Sequence, residues 1–176
     1  SSEGIIEIDF QNSSYLQLMK TILRKATKQD LQGTLDLVNE LALYEKAPQE
    51  VTVTLADYET DFDNNVFDIL IAEQENQIVG IAFYYMAYST WKGKMLYLED
   101  FVVKEELRGH GIGKLLFKAY LEEAKKLNVS LAKWQVLDWN EPAINFYEKY
   151  NSTIEKEWFN GKILSKDFEG ILELLK

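Results

Sequence analysis

The chain has 176 residues, 47% of them apolar and 13% aromatic, with two prolines: enough to bury a core, and too apolar for a disordered or collagen-like chain. It has no cysteine and one histidine, which excludes disulfides, thiolate or multi-histidine metal sites and a cysteine nucleophile. The net charge of −10 repels nucleic-acid phosphates and suits a cationic substrate, although an acidic surface also serves plain solubility.

Residues 1–18 read as a tag or amino-terminal extension ahead of Met19, with Ile6–Phe10 as a candidate edge strand and a single domain over 19–176. No charged-then-apolar leader opens the chain, and no apolar run reaches membrane-spanning length. A cytoplasmic protein with neither membrane nor nucleic-acid partner is expected. Thr21–Ala26 predicts a first strand. Thr27 and Asp30 form a capping pair at a helix start, and Leu31, Leu35, Val38, Leu41 and Ala42 then mark one helical face. Thr54 and Asp57 repeat the signal for a short second helix.

Ile69–Ala72, Ile78–Tyr88 and Met95–Val103 predict three antiparallel strands joined by turns at 75–77 and 90–94. A glycine run follows. After it, Leu115, Leu116, Ala119, Tyr120, Ala124 and Leu127 make the apolar face of a helix. Residues 130–137 predict a strand, and Asn140 caps a helix with Pro142 in its first turn. Ile154–Phe159 and Lys162–Phe168 predict two closing strands.

The glycine run, Arg108-Gly109-His110-Gly111-Ile112-Gly113-Lys114, lies between a strand and a helix. Bare backbone at a helix start directs amide hydrogens and the helix dipole at an anion, and two flanking cations reinforce that reading. The plain alternative is a flexible turn. The spacing fits neither GxxxxGK[ST] nor GxGxxG. Upstream, Glu99 and Asp100 are adjacent carboxylates that serve either as a proton acceptor or as a solvated strand end. In a regular strand they face opposite ways, so only one of the two would serve. Tyr147, a phenol protonated at pH 7, is either a proton donor or a helical core aromatic.

Arg108–Gly113 resembles the arginine–x–x–glycine–x–glycine pyrophosphate loop of the Gcn5-related N-acetyltransferases (GNAT), which bind acetyl-coenzyme A. The stretches "LYEK" (43–46), "YSTWKGKMLYLEDFVV" (88–103) and "VLDWNEPAINFYEKY" (136–150) resemble the spermidine/spermine (diamine) acetyltransferase branch and its thialysine N-epsilon-acetyltransferase relatives. The likeness runs from about Thr21 to Trp158. Asn151 stands where the family usually has glycine, and the tail from Asn160 matches poorly.

The resemblance implies an α/β (α+β) GNAT fold, a mostly antiparallel mixed sheet of about six to seven strands flanked by about four helices. It implies acetyl transfer to a primary amine of a small molecule, either a thialysine- or lysine-like amino acid or a diamine or polyamine. With no cysteine to carry the acetyl group, direct transfer in a ternary complex is expected, without a metal. Glu99 becomes the proton acceptor and a substrate contact, and Tyr147 the proton donor. Phe101, Val102 and Val103 would pair with the pantetheine arm of the coenzyme, and Arg108 to Lys114 would hold its pyrophosphate. Asn140, Glu141, Pro142 and Ala143 would flank the arm, Asn140 also serving as a helix cap. Tyr44, Glu45 and Trp91 are the acceptor-site candidates, their alternative being an exposed helix end and a core tryptophan. Ser89, Thr90 and Asp138 favour an amino-acid acceptor over spermidine. A homodimer formed through the C-terminal strands is expected. The same frame would also serve a peptide N-acetyltransferase or a coenzyme-A-binding sensor without turnover.

Overall fold

In a computed structural model, which describes residues 20–176, five strands form one sheet in the order β1-β2-β3-β4-β5. They are β1 (Ile22–Lys25), β2 (Asp68–Gln74), β3 (Gln77–Ser89), β4 (Gly93–Val103) and β5 (Leu131–Trp134). The first four pair antiparallel and β5 runs parallel to β4. Residues 1–18 and the candidate Ile6–Phe10 strand lie outside the described residues. The chain divides into two units, one running through Gln135 and containing the whole sheet, the other Val136–Lys176.

Two tight turns shape the central hairpins. Glu75 and Asn76 both take positive φ, 49° and 61°, between the paired Gln74 and Gln77, a primed turn that suits the strand twist. At the far end of β3, the Ser89 hydroxyl oxygen accepts from the amides of Trp91 and Lys92 at 3.3 and 3.1 Å, and Gly93 closes the turn at φ 98°.

Helices cover both faces of the sheet. α1 (Leu31–Tyr44) and α2 (Leu55–Asp63) pack on one face, where Leu31, Leu35, Leu37 and Tyr58 meet Ile69, Ile71, Ile81, Phe83 and Val102. The Thr54–Asp57 capping box starts α2 as expected. On the other face lies α3 (Ile112–Lys126): Tyr120 packs edge-on to Tyr84 and donates its hydroxyl to the Leu96 carbonyl at 2.6 Å, and Phe117 meets Phe101. A Cβ on Gly80 would stand 2.9 Å from a Leu116 methyl and 3.1 Å from the Val102 carbonyl oxygen, so α3 approaches β3 as closely as it does because that position is glycine.

The second unit holds α4 (Glu141–Glu148) and α5 (Phe168–Leu174). Asn151 takes φ 57°, the left-handed conformation that asparagine tolerates in place of glycine after a helix. The two closing strands do not form; among the described residues there are five strands, against the larger number expected, and five α-helices. The reason is spacing. Trp158 and Phe159, and Ile163 and Leu164, are adjacent pairs, not alternating positions, and all four are exposed. Phe168, Ile171, Leu172 and Leu175 recur at helical intervals, and that stretch forms α5. The strand over 130–137 is likewise shorter, Leu131–Trp134.

One ionic cluster ties the sheet edge to α1. Arg24 on β1 makes two parallel bonds to Asp30, 2.7 and 2.8 Å, and two to Glu73 Oε2 on β2, 2.6 and 3.1 Å. Asp30 also accepts from the Thr27 amide at 2.7 Å, completing the helix-start pair. The Arg24 hydrogen bond is the main force holding the Asp30 carboxyl down to about 2, against the opposing pull of burial. A depressed carboxyl stabilises the fold above its unfolded pKa of about 4 and loses that contribution as pH falls through about 2. Arg24→Met is therefore expected to lower unfolding stability at pH 7 by about 2 kcal/mol, less than a fully buried pair costs because the guanidinium is partly exposed. The deficit against the wild type should shrink toward pH 2 in urea melts; a pH-independent deficit would mean that lost packing, not charge, causes it.

Candidate active site

The register of β3 on β4 changes at one point. Leu98 lies opposite Tyr84, but Asp100 lies opposite Phe83, so Glu99 is an extra residue on β4, a β-bulge. The bulge reverses the parity of the strand. Leu96 and Leu98 face α3, as do Phe101 and Val103 beyond the bulge, while Asp100 and Val102 face α1 and α2 with Phe83, Tyr85 and Tyr97. Asp100 was expected to face away from Glu99. Instead both carboxylates are directed to the α1–α2 side, because the inserted residue cancels the alternation.

Around that pair stand Glu45, just past the end of α1, Tyr58 on α2, Tyr85 on β3 and Tyr97 on β4. Burial first, then the charges of Glu99 and Glu45, push the Asp100 carboxyl up to about 7. Burial also raises Glu45. Tyr58 is pushed up to about 12 by burial and then by Asp100 and Glu99. Tyr85 donates its hydroxyl to Glu99 Oε2 at 3.0 Å. Sequence reasoning passed over Tyr85 and ranked Asp100 second. The usable signal was two adjacent carboxylates inside an otherwise apolar strand, a local conflict that a bulge resolves.

Immediately beyond the pair, β4 runs on through Phe101, Val102 and Val103, whereas its register with β5 stops at Leu98–Trp134. β5 itself ends at Trp134. A 3-10 turn over Glu105–Leu107 leads to the glycine run. Arg108 donates to the Val103 carbonyl at 3.0 Å and lies 5.1 Å from the ring centre of Tyr44, so it joins the end of β4, the run and the end of α1. Gly109 and Gly111 have φ 79° and 88°, which β-carbon-bearing residues adopt only with strain. Gly111 is the N-cap of α3, and no side chain caps the helix. The amides of Ile112, Gly113 and Lys114 thus open the helix without intrahelical acceptors.

Tyr44, Glu45, Glu99, Phe101–Val103 and the glycine run are brought to one end of β4. Trp91 is not: it lies at the tip of the β3–β4 hairpin, 82% exposed, roughly 20 Å along the strand from Glu99 at about 3.4 Å per residue. Ser89 sits there too, and its hydroxyl holds the turn. In the second unit, Asn140 Oδ1 accepts from the Ala143 amide at 3.4 Å, capping α4 with Glu141 and Pro142 in its first turn. Tyr147 on α4 is buried, and burial lifts its phenol above the ordinary range. Among the described residues no cluster of three or more His, Cys, Asp or Glu could hold a metal ion, and no helix is long and apolar enough to cross a membrane.

Residues 32–151 match the Acetyltransferase (GNAT) family. The chain is 39% identical over 137 residues to the thialysine N-epsilon-acetyltransferase of Bos taurus, covering 72% of this chain and 81% of that one. It is 37% identical over 134 residues to the Homo sapiens spermidine/spermine N(1)-acetyltransferase-like protein 1, covering 71% of this chain and 19% of that one. An aminoglycoside acetyltransferase from a soil metagenomic sample shares the fold, with a TM-score of 0.71 at 18% identity over 83% of this chain and 97% of that one. The chain belongs to the GNAT family and is an N-acetyltransferase.

Because the Asp100 shift depends on a neighbouring charge, it has a direct test. The carboxyl carbon of Asp100, followed by NMR, should titrate near pH 7. Glu99→Gln removes a like charge and should move the midpoint to lower pH. An Asp100 midpoint near 4 in the wild type would place the carboxyl in water instead.

Proposed function

We propose that the protein transfers the acetyl group of acetyl-coenzyme A to a primary amine of a small cationic molecule, directly and in a ternary complex. The observation that carries the proposal is the bulge. It sets two carboxylates side by side on the strand that leads into an anion-binding helix start, within one unit.

The donor site fits what the residues offer. Nothing lies within 4 Å of the place a Gly109 Cβ would occupy, so the run is open there to a phosphate. Arg108 to Lys114 would hold the pyrophosphate, Phe101 to Val103 the pantetheine arm, and Asn140 to Ala143 would flank that arm. The coenzyme supplies an activated acetyl thioester. The chain must make the acceptor amine neutral. A lysine-like ammonium has a pKa of about 10.4, so removing its proton at pH 7 costs roughly 4–5 kcal/mol. Glu99 takes that proton, directly or through water, and Glu45, with the part of Asp100 that is ionised near pH 7, adds the negative field that draws a cation. Tyr147 keeps its own proton at neutral pH and donates it to the departing thiolate.

For the acceptor we favour a lysine-like amino acid such as thialysine, supported by the likeness to thialysine N-epsilon-acetyltransferases. Ser89 gives that choice no support, since its hydroxyl serves the hairpin turn. Free-thiol release across thialysine, lysine, ornithine, diamines and spermidine tests the reading. Thialysine should give the highest kcat/KM, and Tyr147→Phe should lower turnover roughly 10²–10⁴-fold with coenzyme affinity kept. Transfer only to peptides, or coenzyme binding with no transfer to anything, would replace this reading.

The family match, residues 32–151, crosses from the first unit into the second, which supports one acetyltransferase domain over residues 19–176. A cytoplasmic setting is part of the same reading, because the coenzyme is an intracellular metabolite. We also propose a homodimer. Trp158, Phe159, Ile163, Leu164, Leu172 and Leu174 are all at least half exposed, and a second copy is the occupant we propose for that apolar surface. Sedimentation equilibrium should give twice the chain mass, and Phe159→Asp/Leu172→Asp should return it to one; a monomeric wild type sinks the dimer.

A further inference from the structure

A bulged residue has no ladder partner to fix it, yet a proton acceptor must be held in one orientation. Glu99 is such a residue, and its side chain has three rotatable bonds. Freezing a side chain of that length costs up to about 2 kcal/mol. Something must therefore hold the carboxylate before the amine arrives. The Tyr85 hydroxyl donates to Glu99 Oε2 at 3.0 Å, and Oε1 has no hydrogen-bond partner among the described residues. Tyr85 is itself held: its ring stacks on Tyr97 with centroids 5.3 Å apart and planes 23° from parallel. Tyr97 lies directly opposite it in the β3–β4 register, two residues before Glu99. A stacked aromatic pair thus ends in a hydroxyl that grips one oxygen of the extra carboxylate.

We propose that Tyr85 is a positioning residue for acetyl transfer, which fixes the rotamer of Glu99 and leaves Oε1 to take the proton of the acceptor amine. The inference rests on the assignment of Glu99 as proton acceptor. Burial and then the Glu99 charge raise the Tyr85 phenol above its ordinary range, so the donor keeps its proton through the working range of the enzyme. The hydroxyl does not touch the reacting atoms; it acts through Glu99.

A kinetic double-mutant cycle separates that role from a structural one. Tyr85→Phe keeps the ring and its stack and removes only the donor. Tyr85→Phe, Glu99→Gln and the double variant are compared with the wild type, using the best acceptor of the amine panel. Tyr85→Phe should lower kcat/KM for the amine about 10-fold while KM for acetyl-coenzyme A and Tm stay at wild-type values. In the Glu99→Gln background the same substitution should change kcat/KM less than roughly twofold, because the group it positions is gone. Where Glu99→Gln turns over too slowly, amine binding to the coenzyme A complex, read by calorimetry, closes the same cycle. Wild-type kcat/KM in Tyr85→Phe, or equal losses in both backgrounds, overturns the inference alone. A wild type that acetylates no amine overturns the proposed function, and this inference falls with it.

Discussion

The pairing of β3 with β4 governs this molecule. Helices bury both faces of the sheet, so every residue of β4 must choose a face. Leu96 and Leu98 belong toward α3, and so do Phe101 and Val103. No regular strand can satisfy that pattern, because the two sets differ in parity. Were the pairing regular through Glu99, Asp100 would point among Leu98, Tyr84 and the rings of α3. An unpaired carboxylate there would cost several kcal/mol. The bulge at Glu99 removes that conflict, and in doing so it gathers the acidic pair on the other face.

The arrangement is costly in its own way. Asp100 is buried beside Glu99 and Glu45, and its raised carboxyl records first that burial and then the repulsion of the two like charges. A protein selected for stability alone would not keep such a group. Under the proposed transfer to a cationic amine, the protein gains a field that would attract the acceptor and lower the cost of deprotonation. Packing and ion pairs surround it: Tyr58, Phe67 and Phe83 form an aromatic cluster on the same face, and the Arg24–Asp30–Glu73 cluster anchors the start of α1.

The proposed donor and acceptor sites share one strand. β4 carries the carboxylates, then the residues assigned to the pantetheine arm, and then delivers the chain to the glycine run. Arg108 is part of that linkage as well as a cation beside the run. Its guanidinium is bonded to the Val103 carbonyl and lies over Tyr44, so an acceptor-site candidate and the glycine run share one side chain.

Much of this was legible in the sequence. The two capping pairs, the three central strands, the helix after the glycine run and the Asn140 cap are local signals, read from residues within a few positions of each other. The glycine run was legible for the same reason: positive φ and an uncapped helix start are properties of that stretch alone. The C-terminal segment was misread because aromatic and branched residues suggest strand by composition, while their spacing belongs to a turn and a short helix. The bulge, the facing of Asp100 and the grip of Tyr85 on Glu99 were not legible. They depend on which residue of β3 lies opposite which residue of β4, and on two helix layers pressing on the sheet. Register is settled by burial on both faces at once, and no stretch of the sequence, taken alone, contains its partner.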